Sequence, residues 1–433
     1  MAYDSISPVD GRYADETKPL RKYFSEAALA KERAEVELAY LRLLVDIGVA
    51  PKTEVPEVKF SMTRVKSLER GVGHDVKAVE LFLRESLSKR GASKLAPYVH
   101  LGLTSEDTNS VAFGVLLSKA LGEKLVPAYA SLATALARVA RQEAGTRMLA
   151  RTHGRPALPT TFGKEMAVFA VRMAERAASL RGLKPMAKFS GAVGTYASFG
   201  LMANRDWPKV LGGFVNSMGL DYATYSTQVV PGERLSDILH LAINFNQLVL
   251  SLARDLWMYQ MLDYVRLERP GKVSSSTMPQ KVNPVDLENA EGQAEISSAV
   301  LSLAAYRLQV TRLQRDLSDS VIRRTVGQGL AHSYLACTRL DASIAALRVD
   351  RRRMRSDLDA HPETYAEALQ VSMRLAGDER GYEKVKAMVE RGKLGGGSAG
   401  PRRAGGYLGA ARALASSCEA EVSRLLGSGR ATK

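Results

Sequence analysis

Ser274-Ser275-Ser276-Thr277-Met278-Pro279-Gln280-Lys281-Val282-Asn283-Pro284 is the stretch from which the rest of the chain is read. Its opening run of hydroxyl residues carries neither the period of a helix nor the alternation of a strand. Pro279 and Pro284 punctuate it, so a loop is expected. Asn283-Pro284 then reads as an N-cap followed by a first helical position. Asp286 and Glu288 fall in or near the first turn, where the helix dipole favours negative charge. A polar loop with one lysine therefore runs into the start of a long helix. Such a loop can bring a nucleophile or base, a cation and an anion-binding helix end together. On composition alone, a solvated serine-rich linker is the commoner reading of such a run.

The chain has 433 residues, of which 45% are hydrophobic and 25% charged. That is ordinary for a soluble globular protein and allows two or three domains. Cys337 and Cys418 cannot build a disulfide framework or a cysteine-rich metal site, so both are expected as packed residues in a reducing compartment. Residues 1 to 12 lack a basic segment followed by an apolar run, so no secretory signal is expected and the protein is read as cytoplasmic. The formal charge of +15 fits either nucleic acid or small anionic substrates. Basic residues are spread along the chain, the densest cluster being Arg351 to Arg355, and no motif with interleaved aromatics appears. Nucleic acid is therefore not expected. The dispersed histidines lack ligand spacing and no phosphate loop of Walker or Rossmann type is present, so neither metal nor cofactor is expected.

Helical periodicity is expected over about 23–47, up to about 89, over 108–143 and over 160–183. Two longer candidates follow, 231–270 and 284–315, the second roughly 45–50 Å long at the helical rise. Within the first, Ile238 to Ala253 carries no formal charge but includes His240, Asn244, Asn246, Gln247 and Ser251. It is short for a membrane span and must be covered on several sides, which places it at the centre of a bundle completed by other subunits. No strand alternation or βαβ rhythm is evident. Beyond 346 the helices shorten, Gly392 to Gly406 reads as a glycine-rich loop, and a last helix covers Tyr407 to Leu425. The expected fold is all-α: an N-terminal helical domain (1–96), a central long-helix bundle with the polar loop (97–345) and a C-terminal helical domain (346–433).

Ser-Ser-x-Met-Pro-x-Lys-x-Asn-Pro, residues 275–284, resembles the signature loop of the fumarase/aspartase superfamily, whose members eliminate fumarate from a substituted succinate. Ser274 stands where glycine is usual. Other motifs follow in the family's order: Ser-Pro-Val-Asp-Gly-Arg-Tyr (7–13), His-Asp-Val-Lys-Ala-Val-Glu (74–80), Thr-Ser-Glu-Asp (104–107), Arg-Thr-His-Gly (151–154) and Phe-Gly-Lys-Glu-Met-Ala (162–167). They resemble the adenylosuccinate lyase branch, in its long bacterial form. The resemblance implies a three-domain helical lyase without cofactor. It also implies a homotetramer with sites shared between chains, acting on small anionic nucleotides. Argininosuccinate lyase and fumarase would share the loop but not the 7–13 motif. A catalytically inactive structural relative would not be expected to keep Ser275, Lys281, Asn283 and His153 together.

Elimination needs a base, stabilisation of the carbanion's charge, and an acid for the departing nitrogen. The resemblance implies Ser275 as the base, with Lys281 and Asn283 stabilising charge. It implies His153 as the acid, with Glu288 as the carboxylate that orients it. Implied substrate contacts are Arg12 and Tyr13 at the nucleotide end, the triplet Gly73, His74 and Asp75, and Thr104 with Ser105 at the succinyl carboxylate. Gln228 and Asn289 add further contacts. Arg315, Ser320 and Arg324 are implied as nucleotide-side anchors, arginine suiting phosphate by its fork. Gly73 stands where asparagine is frequent and Arg155 where glutamine is. Read without the family, these positions are helix caps and solvated charges.

Overall fold

The computed structural model describes residues 4–268, 278, 281–392, 394 and 407–427. Ser275, Ser274 and most of the glycine-rich stretch lie outside the described residues. Among the described residues helices dominate, as expected, joined by three two-stranded sheets that the periodicity did not announce. The chain divides into two compact units assembled from interleaved segments. The first comprises 1–127, 179–246 and 293–335; the second comprises 128–178, 247–292 and 336–433. Five helices, Val126–Gln142, Phe162–Gly182, Glu233–Met261, Val285–Arg307 and Val326–Ala345, contribute residues to both.

In the first unit the Glu26–Asp46 helix begins where the Ser25 hydroxyl accepts from the Ala28 amide at 3.1 Å. It buries Tyr40, Leu41 and Leu44 against Leu83 and Leu87 of the Asp75–Lys89 helix. Tyr40, Phe189 and Phe214 pack with ring centroids 5.0–6.1 Å apart. Each such fully buried side chain contributes roughly 1.5–3 kcal/mol. The helix expected over 108–143 runs as Ser105–Ala120 and Val126–Gln142, joined through one π-helical turn at Leu121–Leu125.

The charge-free stretch lies within the Glu233–Met261 helix, which stops nine residues short of Pro270. Ile238, Ala242, Phe245, Val249 and Leu252 are fully buried, while Asn244, Gln247 and Ser251 are exposed. Buried Asn246 is satisfied at both ends of its amide: Nδ2 donates to Ser297 Oγ (2.8 Å) and Oδ1 accepts from Ser333 Oγ (2.6 Å). Such a bond to each end offsets the desolvation of a buried polar group. The next helix also ends early. It covers Val285–Arg307, about 35 Å at 1.5 Å per residue, and not the 284–315 expected. The reason is local: the Asp316 carboxylate accepts from Arg312 N (3.2 Å) and Arg307 Nη2 (3.3 Å), while Thr311 Oγ1 accepts from Asp316 N (3.1 Å). These side chains offer the backbone partners that a helix cannot.

In the second unit, β1 (Arg147–Thr152) and β2 (Arg155–Thr161) form an antiparallel hairpin. In the first, β3 (Met186–Ala187) pairs in parallel with β4 (Asp221–Tyr222). Back in the second, β5 (Val265–Leu267) pairs with β6 (Leu347–Val349) immediately before the Arg351–Asp359 helix.

Candidate active site

His153 and Gly154 are the two residues between β1 and β2, with φ of 53° and 73°. A two-residue turn with positive φ at both positions is the kind whose twist matches the paired strands. Glycine takes that conformation without strain, and histidine is among the side chains that tolerate it. The sequence break read at 151–156 is therefore a hairpin whose exposed tip carries the imidazole. Within the same unit, Glu288 accepts from Trp257 Nε1 at 3.3 Å. The His153–Glu288 pair expected from the resemblance is not formed within the chain, among the described residues. Lys281 is exposed, and Asn283 and Asn289 are half-buried about the start of the Val285–Arg307 helix.

The first unit holds nearly all the expected substrate contacts. Gly73 ends the Met62–Val72 helix, and the His74 ring nitrogen Nδ1 accepts from the Lys77 amide at 3.3 Å, capping the next helix. Asp75 faces Arg33 (2.9 Å) and Arg324 (3.5 Å). Burial works to raise the Asp75 pKa, but the two guanidinium charges and the Val76 amide outweigh it and hold it below the usual carboxylate value. Thr104 and Ser105 begin the Ser105–Ala120 helix, where Asp107 Oδ2 accepts from Thr104 N at 2.8 Å. Buried Glu106 bonds Arg323 and lies 3.7 Å from Arg315. Asp319 faces both arginines (3.6 and 3.2 Å), and Arg315 Nη1 donates to Gln228 Oε1 at 3.2 Å. Gln228 Nε2 in turn donates to Ala192 O at 3.0 Å. Ser320 sits half-buried on the Ser318–Arg323 helix, Tyr13 is half-buried and Arg12 exposed.

Sequence reasoning missed the groups that hold these residues. Arg33, 7% exposed, joins Asp75 to Asn109 Oδ1 (2.8 Å). Fully buried Lys188 lies 2.7 Å from Asp107 Oδ1 and donates to Gly191 O at 2.6 Å. Burial lowers the Lys188 pKa, with Asp107 opposing it. Asp107 Oδ1 also accepts from the Ser190 and Gly191 amides (2.9 and 3.3 Å). A signal was present in Lys188: a lysine amid apolar neighbours is buried only when paired. The arrangement sets four guanidinium groups (Arg33, Arg315, Arg323 and Arg324) and the Lys188 ammonium against four carboxylates (Asp75, Glu106, Asp107 and Asp319), a small positive excess around polar helix starts that suits an anionic ligand. Among the described residues, no three His, Cys, Asp or Glu side chains are placed to hold a metal ion.

Residues 5–296 match a family described as lyase, and residues 311–396 one described as the adenylosuccinate lyase C-terminal region. In fold, the chain is similar to a 3-carboxy-cis,cis-muconate lactonizing enzyme from Pseudomonas putida (TM-score 0.77, 21% identity, 94% of this chain and 97% of that one). It is also similar to a fumarate lyase from a Mesorhizobium species (TM-score 0.73, 21% identity, 95% and 98%). The class is thus a helical lyase of the fumarase/aspartase type. Curated adenylosuccinate lyases of Haemophilus influenzae and Escherichia coli are each 36% identical over 408 residues, covering 90% of this chain and 89% of theirs. That of Legionella pneumophila is 34% identical over 412 residues, covering 91% and 90%. The chain belongs to the adenylosuccinate lyase family.

Proposed function

We propose that this chain eliminates fumarate from adenylosuccinate, leaving AMP, and from succinylated aminoimidazole carboxamide ribotide, leaving the carboxamide ribotide. The observation that carries the reading is the joining of four separate segments by ion pairs and one hydrogen bond, with the Glu106 carboxylate buried among them, in a chain of this family. These are the Gly73-His74-Asp75 triplet, Thr104-Ser105-Glu106, Gln228 and Arg315–Arg324. Ser275 removes the proton next to a succinyl carboxylate. The electron pair moves into the new double bond as the carbon–nitrogen bond breaks. Charge that builds on that carboxylate is met by Lys281 and Asn283. His153 gives its proton to the departing nitrogen, with Glu288 orienting it in the assembled enzyme. Arg12, Tyr13, Ser320 and Arg324 take the nucleotide end, and Asn289 adds a substrate contact.

The working form is a cytoplasmic homotetramer. Support comes from an apolar row on the Val285–Arg307 helix, Ile296, Leu303 and Tyr306, which are 45%, 52% and 66% exposed in the single chain. Neighbouring chains cover that row and complete each site. Purified protein mixed with adenylosuccinate, without added metal, is expected to release fumarate, followed by ultraviolet absorbance. A folded sample with no turnover rejects the reading.

A further inference from the structure

We propose that Asp357, with Tyr264 and Arg151, is a positioning group for proton transfer: it fixes the β1–β2 hairpin and so the point at which His153 meets the substrate. The proposal rests on the role given above to His153.

The hairpin is weak as an isolated element. Two strands alone are marginal in water. Pro156 and Pro159 of β2 have no N–H to give to the ladder, and the register shifts between Leu149 and Arg151. Its tip holds His153 at positive φ, a conformation that costs an ordinary side chain about 1–2 kcal/mol. A tip that must place one nitrogen to within a fraction of an ångström therefore needs holding from elsewhere.

The hold is visible two residues before the histidine. Arg151 Nη2 donates to Asp357 Oδ2 at 2.7 Å, and the Tyr264 hydroxyl donates to the same oxygen. The carboxylate is 13% exposed and the guanidinium 27%. Burial works to raise the Asp357 pKa, but these two bonds and the Arg151 charge lower it overall, so the group that grips the hairpin is ionised.

Each partner is itself fixed. Tyr264 is buried, its ring stacked on Tyr259 at 6.1 Å. Its carbonyl accepts from Asp350 N at 2.9 Å, and Asp350 Oδ1 caps the Arg351–Asp359 helix through Arg353 N at 2.8 Å. The β5–β6 ladder sets where that helix begins. At its first residue, Arg351 donates to both oxygens of buried Glu143, at 2.9 and 2.7 Å. The Thr146 hydroxyl, one residue before β1, donates to Glu143 as well. One short helix thus grips the hairpin at its root through Glu143 and near its tip through Asp357.

An ion pair that served stability alone would change the melting temperature and leave the turnover of folded enzyme untouched. The test is steady-state kinetics on the full-length enzyme with adenylosuccinate, beside thermal melting, for Asp357→Asn, Tyr264→Phe, His153→Ala and the double variant His153→Ala/Asp357→Asn. Asp357→Asn is expected to lower kcat by about ten- to a hundred-fold with KM little changed, the scale of a misplaced catalytic group. Tyr264→Phe, which keeps the Arg151–Asp357 pair, is expected to show a smaller loss in kcat and carries the test if Asp357→Asn does not fold. The double variant is expected to be no slower than His153→Ala alone, because the two act through one imidazole. A kcat near wild type in both Asp357→Asn and Tyr264→Phe overturns the proposal, as does a double variant in which the two losses multiply. If His153→Ala itself keeps full turnover, the acid assignment falls and this proposal with it. A crippled His153→Ala beside normal Asp357→Asn and Tyr264→Phe sinks the positioning role alone.

Discussion

Gly73 holds φ at 66°, a left-handed conformation open to glycine and also to asparagine, the residue the resemblance leads one to expect there. The difference therefore leaves the backbone alone and removes only a side-chain hydrogen-bonding group beside His74 and Asp75. Two other histidines give the residue scale its pH dependence. His332 is 1% exposed on the Val326–Ala345 helix, with Nδ1 2.5 Å from Gln293 Oε1 and, among the described residues, no partner on Nε2. Burial lowers its pKa below the ordinary 6.5. The unfolded chain then binds the proton more readily, so this group's contribution is full above 6.5 and is lost as pH falls towards the folded pKa. His100 works in reverse. Burial alone would lower its pKa, but its bond to Glu37 (2.6 Å) and that carboxylate's charge raise it, so its contribution is full below 6.5 and fades as pH rises through the folded pKa. His332→Asn is expected to flatten the fall of the melting temperature on acidification below 6.5. An unchanged acid slope in that variant would remove His332 from the explanation.

At the scale of elements, the close approach of the first turn of the Phe162–Gly182 helix to the C-terminal end of the Val126–Gln142 helix depends on Gly163, whose amide donates to Glu143 O at 3.2 Å. A Cβ there would meet Ala140 O at 2.4 Å and Ala144 N at 2.7 Å, both backbone atoms that cannot rotate away. Gly163→Ala is expected to cost about 1–3 kcal/mol by overpacking. Chemical denaturation would read it, and a loss below a few tenths would show that the helices part freely. The helix starts at His74 and Thr104 were legible because a cap and its amide lie within three residues of each other, whereas the start after Ser25 was read a few residues early, at about 23. The hairpin was not. Its strands carry two prolines and little alternation, and His-Gly is not the usual signature of a two-residue turn. The early end at Arg307 was hidden for the opposite reason: apolar spacing runs on past it, while Asp316 and Thr311 compete for the backbone. In the site, the motif residues could be named from their order in the chain. Their supports could not. Glu106 and Arg323 are 217 residues apart and Arg151 and Asp357 206, and no local pattern encodes such a pairing.

For the whole molecule, the expected substrate contacts and the expected acid divide between the two compact units. The former fall in the first, apart from Asn289, and His153, Lys281, Asn283 and Glu288 in the second. His153 stands exposed at a hairpin tip, without the carboxylate the family leads one to expect beside it. These features, with the uncovered row at Ile296, Leu303 and Tyr306, fit a catalyst completed by its neighbours. The most direct measurement mixes two variants, Ser275→Ala and His153→Ala, each folded and each slowed by orders of magnitude alone, under conditions in which subunit exchange is demonstrated. Fumarate release from adenylosuccinate is then followed. The account predicts that the mixture recovers a fraction of wild-type turnover, because some sites receive the serine from one chain and the histidine from another. A mixture that exchanges subunits and still releases fumarate no faster than the separate variants would contradict it.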